Sequence, residues 1–265
     1  MQSFTESGLA LAADAGIVRL RFDRPDRLNA IDVPMAAAFR RACDAIAGDR
    51  SVRVVVMTGA GRAFMAGGDV TTFHADPTHA ADTARAIIDP LHAGLATLAS
   101  IDAPVLAALQ GAVAGAGVSV ALAADLAIAA DDARFTLAYA KIGASCDGSA
   151  SWSLPRVVGL RRALEIALLA EPLDAATALA YGMVNKVVPV ANLGAEIDAL
   201  ATRLAAGPTL AYGKIRRLLR TSFERDLVAQ MKQEGDAFCA SATTRDFAEG
   251  VAAFVGKRRA IFVGQ

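Results

Sequence analysis

The stretch Gly61-Arg62-Ala63-Phe64-Met65-Ala66-Gly67-Gly68-Asp69 decides how this chain is read, because Gly111-Ala112-Val113-Ala114-Gly115-Ala116-Gly117 answers it further on. Each follows a short apolar run with the composition of a strand, residues 52–58 before the first and 105–109 before the second. Glycine admits positive φ and lets another group come close to the main chain. Two such turns at strand ends can aim two backbone N–H groups at one oxygen, an oxyanion hole made without side chains. One turn alone would be read as a tight bend or a close helix contact. The pair points to an oxygen site.

Working outward, residues 16–22 alternate apolar and charged side chains, the pattern of a strand with one buried face. Asp32 precedes Pro34 and the run 35–46, which predicts an N-capped amphipathic helix with proline in its first turn. The β-then-α alternation continues through 105–124 and beyond, predicting a mixed α/β domain with a largely parallel sheet. Residues 70–90, with Pro77, Pro90, His74 and His79, are the least regular part and read as exposed connecting structure, with a mobile flap or helix over a pocket as the alternative. After Gly207-Pro208 the pattern is helical to about residue 258. Arg216, Arg217 and Arg220 recur there at helical spacing and read as a solvated face.

Composition narrows the classes. A chain of 265 residues suits one large domain or a domain with a helical appendage. Lysine plus arginine and aspartate plus glutamate number 27 each, so no net field draws in nucleic acid or an anionic membrane. Cys43, Cys146 and Cys239 are odd in number and far apart, forming neither a disulfide framework nor a zinc spacing, as expected in a reducing cytoplasm. The three histidines are scattered, and no metal site is expected. Residues 103–124 are uncharged and long enough to span a bilayer. Pro104, Gln110, three glycines, Ser119 and many alanines instead predict a buried strand, turn and helix. The N-terminus lacks a basic region followed by an apolar run, so no leader is expected.

These motifs, with Arg24-Pro25-Asp26-Arg27-Leu28-Asn29-Ala30, Gly182-Met183-Val184-Asn185-Lys186-Val187-Val188 and the run 249–258, resemble the crotonase superfamily, also called the enoyl-CoA hydratase/isomerase family. The resemblance runs from about residue 15 to the C-terminus. It implies a spiral of ββα units over residues 1–195 and a C-terminal helical trimerisation region over 196–265, with trimers stacking into hexamers. It also implies an acyl-CoA substrate whose thioester carbonyl lies between the N–H groups of Gly68 and Ala116. Coenzyme A would enter as part of the substrate, with no further cofactor. Arg27, Ala66 and Asp69 would lie along the bound CoA thioester, and Phe254 and Lys257 would reach the nucleotide end, commonly from a neighbouring subunit. The plain alternative for each is a surface residue.

Drawing a proton from the carbon beside a thioester, or adding a nucleophile to a conjugated one, places negative charge on the carbonyl oxygen; each donor would contribute on the order of 3 kcal/mol. The acid–base groups then select the reaction. Family hydratases hold water between two glutamates, and the matching positions here are Ser119 and Tyr139. Neither is a carboxylate, so a two-glutamate hydration is not expected. Asp147 instead stands where two branches carry an aspartate, the ring-epoxide phenylacetyl-CoA isomerases, in which it moves a proton, and the chlorobenzoyl-CoA dehalogenases, in which it attacks the ring. Its alternative role is a helix N-cap before Gly148-Ser149-Ala150-Ser151-Trp152. His92 lies twelve residues before Pro104, as does the water-activating histidine of the dehalogenases, although Pro90-Leu91 replace their aromatic pair. Tyr139 falls where that branch has an active-site tryptophan. The expected activity is an isomerisation with Asp147 as the proton-transfer group. The alternatives are aspartate-nucleophile hydrolysis with His92, and a non-catalytic acyl-CoA or RNA-binding homologue. The first helix offers RNA only Arg40 and Arg41, flanked by Asp44 and Asp49.

Overall fold

The computed structural model describes residues 3–265; residues 1 and 2, the start of the segment read above as carrying no leader, lie outside the described residues. The chain opens with β1 (Phe4–Glu6), β2 (Leu9–Asp14), β3 (Ile17–Phe22) and α1 (Val33–Gly48). It continues with β4 (Val54–Gly59), β5 (Ala63–Met65), α2 (Val70–Ala75) and α3 (Ala80–Ser100). Next come β6 (Val105–Leu109), β7 (Ala112–Ala114), α4 (Ala116–Ala123), β8 (Leu126–Ala130), β9 (Arg134–Thr136), α5 (Ala150–Val158) and α6 (Leu160–Leu169). The last part holds β10 (Leu173–Asp174), α7 (Ala175–Ala180), β11 (Lys186–Val188), α8 (Leu193–Ala205), α9 (Thr209–Arg220), α10 (Leu227–Ala242) and α11 (Arg245–Val255).

Three consecutive strand pairs, β4–β5, β6–β7 and β8–β9, each lead into helices, and each divides between two sheets. Their first strands join a seven-stranded sheet of order β1-β2-β3-β4-β6-β8-β11, and their second strands a four-stranded sheet of order β10-β9-β7-β5. Pairing is parallel from β3 through β11 and from β5 through β9. This repetition is the spiral of ββα units. It inserts three-residue strands into both glycine-rich segments, where the sequence predicts turns throughout.

The larger sheet is covered on both faces. On β4, Val55 and Met57 face the main core while Val54 and Val56 face the other side, the two-residue period of a strand. On that second side they meet Leu193, Ile197 and Ala201 of α8. The position 195/196 falls inside α8, whose apolar face packs on the sheet. Asp32 caps α1, its carboxylate accepting from Met35 N at 2.9 Å, and Pro34 sits in the first turn. Phe64 of β5 stacks edge-on against Phe22 at 5.7 Å, and Phe22 lies against Phe39 of α1 at 5.9 Å. Each such pair contributes about 0.5–1.5 kcal/mol beyond its burial and fixes β5 to the core.

Residues 70–90 are largely exposed, as expected, and mostly helical, as α2 and the first half of α3. One expectation changes: Arg216 and Arg220 of α9 are buried or half-buried, not a solvated face, and only Arg217 of the three is exposed. Arg216 is 7 % exposed and pairs with Asp125 at 2.6 Å, Arg220 pairs with the same carboxylate at 2.8 Å, and Arg217 pairs with Asp102 at 2.8 Å. Arg216 also donates to Leu98 O and Ile101 O at the end of α3, whose last carbonyls have no intrahelical donor. The arginines dock α9. No helix among the described residues is long and apolar enough to cross a membrane.

Candidate active site

The two glycine turns meet. After β5 the chain passes Gly67 at φ 104, and after β7 it passes Gly115, the residue before α4. A Cβ on Gly115 would sit 3.5 Å from Gly67 Cα, and one on Gly67 would sit 3.7 Å from Ala116 N and 3.2 Å from Ala114 O. A parallel bridge between Ile31 and Gly68 uses Gly67 O and Asp69 N–H, at 2.8 Å each. In that pattern the middle residue's own N–H points away from the partner strand, so the Gly68 N–H is turned outward. Ala116 opens α4, where the first N–H groups have no intrahelical acceptor and carry the positive end of the helix. Both donors are thus backbone groups fixed by strands.

The motif at 24–30 is the scaffold of the first turn. Asn29, fully buried, donates to Ala60 O at 2.9 Å and Ala63 O at 2.8 Å, and accepts from Arg24 N at 2.9 Å. Arg24 donates to Ala30 O at 2.6 Å and pairs with Asp32 at 3.1 Å and Asp69 at 3.2 Å. Thr71 Oγ1 holds the other oxygen of Asp69 at 2.5 Å. That bond first, and Arg24 after it, hold the Asp69 carboxyl below its ordinary value against the effect of burial.

Tyr139, Asp147, Ser119 and His92 form one cluster. Tyr139 donates its phenolic hydrogen to Asp147 Oδ1, and its oxygen lies 3.1 Å from Ser119 Oγ. Ser119, fully buried on α4, donates to the Asp147 backbone carbonyl at 2.8 Å. On the other side, Gly148 N–H donates to His92 Nε2 at 2.9 Å, and that nitrogen is 3.9 Å from Asp147 Oδ2. Gly148 stands at φ 59, and a Cβ there would come within 2.8 Å of Ser119 Cβ. Gly94 lets α3 pack closely on α1: a Cβ there would lie 2.7 Å from the Phe39 ring. His92 and Gly148 also line a cleft of about 670 Å³ with Leu95, Ala96, Ala123 and Trp152. Asp147 is not the N-cap of α5. Ser149 is, at φ 71, and the Asp147 carboxylate faces Tyr139 instead.

The sequence profile of the enoyl-CoA hydratase/isomerase family matches residues 12–265. This chain belongs to the enoyl-CoA hydratase/isomerase family. It is 35% identical over 253 residues to the 1,2-epoxyphenylacetyl-CoA isomerase of Escherichia coli (strain K12), covering 95% of this chain and 97% of that one. It is 32% identical over 260 residues to a 4-chlorobenzoyl coenzyme A dehalogenase of an Arthrobacter species, covering 97% and 94%. The crystal structure of an enoyl-CoA hydratase from Polaromonas sp. JS666 superimposes with a TM-score of 0.91 at 32% identity, covering 96% of this chain and 99% of that one. Three chemistries thus share this scaffold.

Within the family frame, the structure brings together Asp147, His92 and Tyr139, and separately Gly68 and Ala116. The sequence reading missed Ser119 as a participant. Its only signal was a small polar residue where family hydratases carry a glutamate. The remaining candidates stand apart from the hydrogen-bonded cluster. Arg27 is exposed in the turn at 25–27, and Ala66 gives its N–H to Leu28 O at 3.0 Å. Asp69 serves the scaffold of the turn, both carboxylate oxygens being engaged within the protein. Phe254 is 86 % exposed on α11, and Lys257 is exposed just beyond it at φ 50.

Proposed function

We propose that this acyl-CoA enzyme is an isomerase in which Asp147 moves a proton while the N–H groups of Gly68 and Ala116 hold the thioester oxygen. The observation that carries the reading is the divided carboxylate of Asp147. Oδ1 accepts from Tyr139, and Oδ2 has His92 Nε2 no nearer than 3.9 Å, so Oδ2 is the oxygen that can take and return a proton. Removal of a proton beside the thioester gives an enolate whose charge falls on the carbonyl oxygen between the two donors. Return of the proton to another carbon completes the shift, and no cofactor beyond the substrate's own coenzyme A is required. Arg27, Phe254 and Lys257 are proposed to contact that coenzyme A, the last two across a trimer interface. The three free cysteines support a cytoplasmic setting.

The second reading, hydrolytic dehalogenation of an aromatic acyl-CoA, is favoured by the closeness of His92 to Asp147. There Asp147 attacks the ring, halide leaves, and His92 activates the water that cleaves the aryl ester. Mass spectrometry on aliphatic enoyl-CoA, phenylacetyl-type and halobenzoyl-CoA thioesters separates the two. A product of unchanged mass with an unmodified protein supports isomerisation; an ester on Asp147 supports hydrolysis. On a substrate the enzyme turns over, Asp147→Asn should lower kcat by about 10²–10⁴-fold with thioester binding retained. Undiminished kcat in that variant would remove Asp147 from the mechanism.

A further inference from the structure

The bond between Gly148 N–H and His92 Nε2 fixes the state of the imidazole. A backbone N–H can only donate, so Nε2 accepts, and in the neutral ring the proton sits on Nδ1. This bond and the Ser119 bond to Asp147 O hold the turn at Asp147 and Gly148 from opposite sides. His92 is 46 % exposed at its side chain, so water reaches it. Once protonated, Nε2 carries a hydrogen and can no longer accept from Gly148. The carboxylate oxygen it then faces is Asp147 Oδ2, 3.9 Å away.

We propose that His92 is a positioning residue for Asp147: neutral, it anchors the Asp147–Gly148 turn, and protonated, it exchanges that anchor for an ion pair with Asp147 and silences it. The inference rests on Asp147 as the proton-transfer group and assigns His92 no proton from the substrate. The charged groups around the ring define the exchange. Asp147 draws the imidazolium. Arg217 and Arg220 of α9 line the same cleft but are already paired with Asp102 and Asp125. On α3 itself, Arg85 and Asp89 pair with each other at 3.5 Å. Tyr139 holds Oδ1, which leaves Oδ2 as the oxygen for His92.

Two measurements test this on the intact protein. In the first, ring-nitrogen NMR of the substrate-free enzyme at about pH 8, where a histidine is ordinarily neutral, should show the His92 proton on Nδ1. A proton on Nε2 would overturn the anchor without reference to any substrate. In the second, kcat is followed from about pH 5 to 8, the range in which histidine ordinarily changes charge. Glutamine places an acceptor near the position of Nε2 but does not titrate. His92→Gln should therefore lose several-fold in kcat and show a flat profile where the wild type falls in acid. His92→Ala should lose more at every pH, with KM little changed. Retention of the wild-type acid limb in His92→Gln would overturn the gate. Equal loss in the Gln and Ala variants at all pH would also overturn it and return His92 to direct proton chemistry. Asp147→Asn and the product mass on the same substrate separate these failures from failure of the isomerase reading: undiminished kcat removes Asp147, and an ester on Asp147 or a product of changed mass removes isomerisation.

Discussion

The phenol of Tyr139 gives its hydrogen to Asp147 Oδ1 and keeps it there. Burial first, and the negative charge of Asp147 second, push the ionisation of Tyr139 above its ordinary value. The phenol is therefore a permanent donor in the working range, and one oxygen of Asp147 is committed to it. A hydrogen bond to a charged group contributes about 1.5–3 kcal/mol, so Tyr139→Phe should cost about 10–100-fold in kcat with KM little changed. Because the folded state raises this ionisation, the stability it lends is complete below about pH 10 and is lost as pH rises further. Alkaline unfolding should accordingly be shallower in Tyr139→Phe. An unaltered kcat would show that Asp147 needs no such donor.

Ala116 occupies the first position of α4, where helices accept proline because that N–H has no internal partner. Ala116→Pro should thus retain helical circular dichroism while losing one donor to the thioester oxygen. The expected fall in kcat is at least about 10²-fold. Near-normal turnover in a folded Ala116→Pro protein would place the thioester elsewhere.

Asn29 is a buried amide with its donors on carbonyls at both ends of the turn before β5. Asn29→Leu keeps the bulk but takes the partner from Ala60 O and Arg24 N–H and leaves Ala63 O only Gln110 Nε2 at 3.3 Å, at about 1–3 kcal/mol for each buried group left unpaired. A clear drop in melting temperature is expected, together with lost activity, since Gly67 and Gly68 follow β5 directly. A variant as stable as wild type would mean that water or a shifted backbone replaces the amide.

Leu227, Val228, Met231 and Phe238 of α10 are exposed in the single chain. Their burial is proposed to drive a trimer or hexamer, and sedimentation at micromolar concentration should show one. Val228→Glu paired with Met231→Glu should shift the protein toward monomer. A wild-type monomer would count against this role for α10 and against Phe254 and Lys257 acting across subunits.

The parts of the fold governed by local rules were legible in the sequence. The alternation at 16–22 became β3, and Asp32 with Pro34 started α1 as its capping chemistry requires. The paired glycine segments located the meeting of two turns, because only glycine allows that approach. What depended on distant partners was not legible. The arginines of α9 looked solvated because nothing local announces Asp125 and the carbonyls ending α3. A cap stayed open as the alternative role of Asp147 because Tyr139, which donates to its carboxylate, comes from the segment after β9. The three-residue strands β5 and β7 are too short to show a period, and α8 hid its allegiance because its apolar face is answered by the far side of strands distant in sequence, among them β4, β6, β8 and β11.

The contact between Ser119 and Gly148 limits what this enzyme can become. The turn at Gly148 rests directly on the serine, and Ser119 itself is wholly enclosed. A glutamate at 119 would bring three more heavy atoms and a charge into space already filled by that turn, with Tyr139 and the Asp147 carbonyl left to rearrange. Restoring a water-holding carboxylate there is thus not a one-residue change. The turn must be rebuilt at the same time. Descent between the two chemistries on this scaffold is expected to pass through paired substitutions at 119 and 146–149, not through a series of singly improved enzymes.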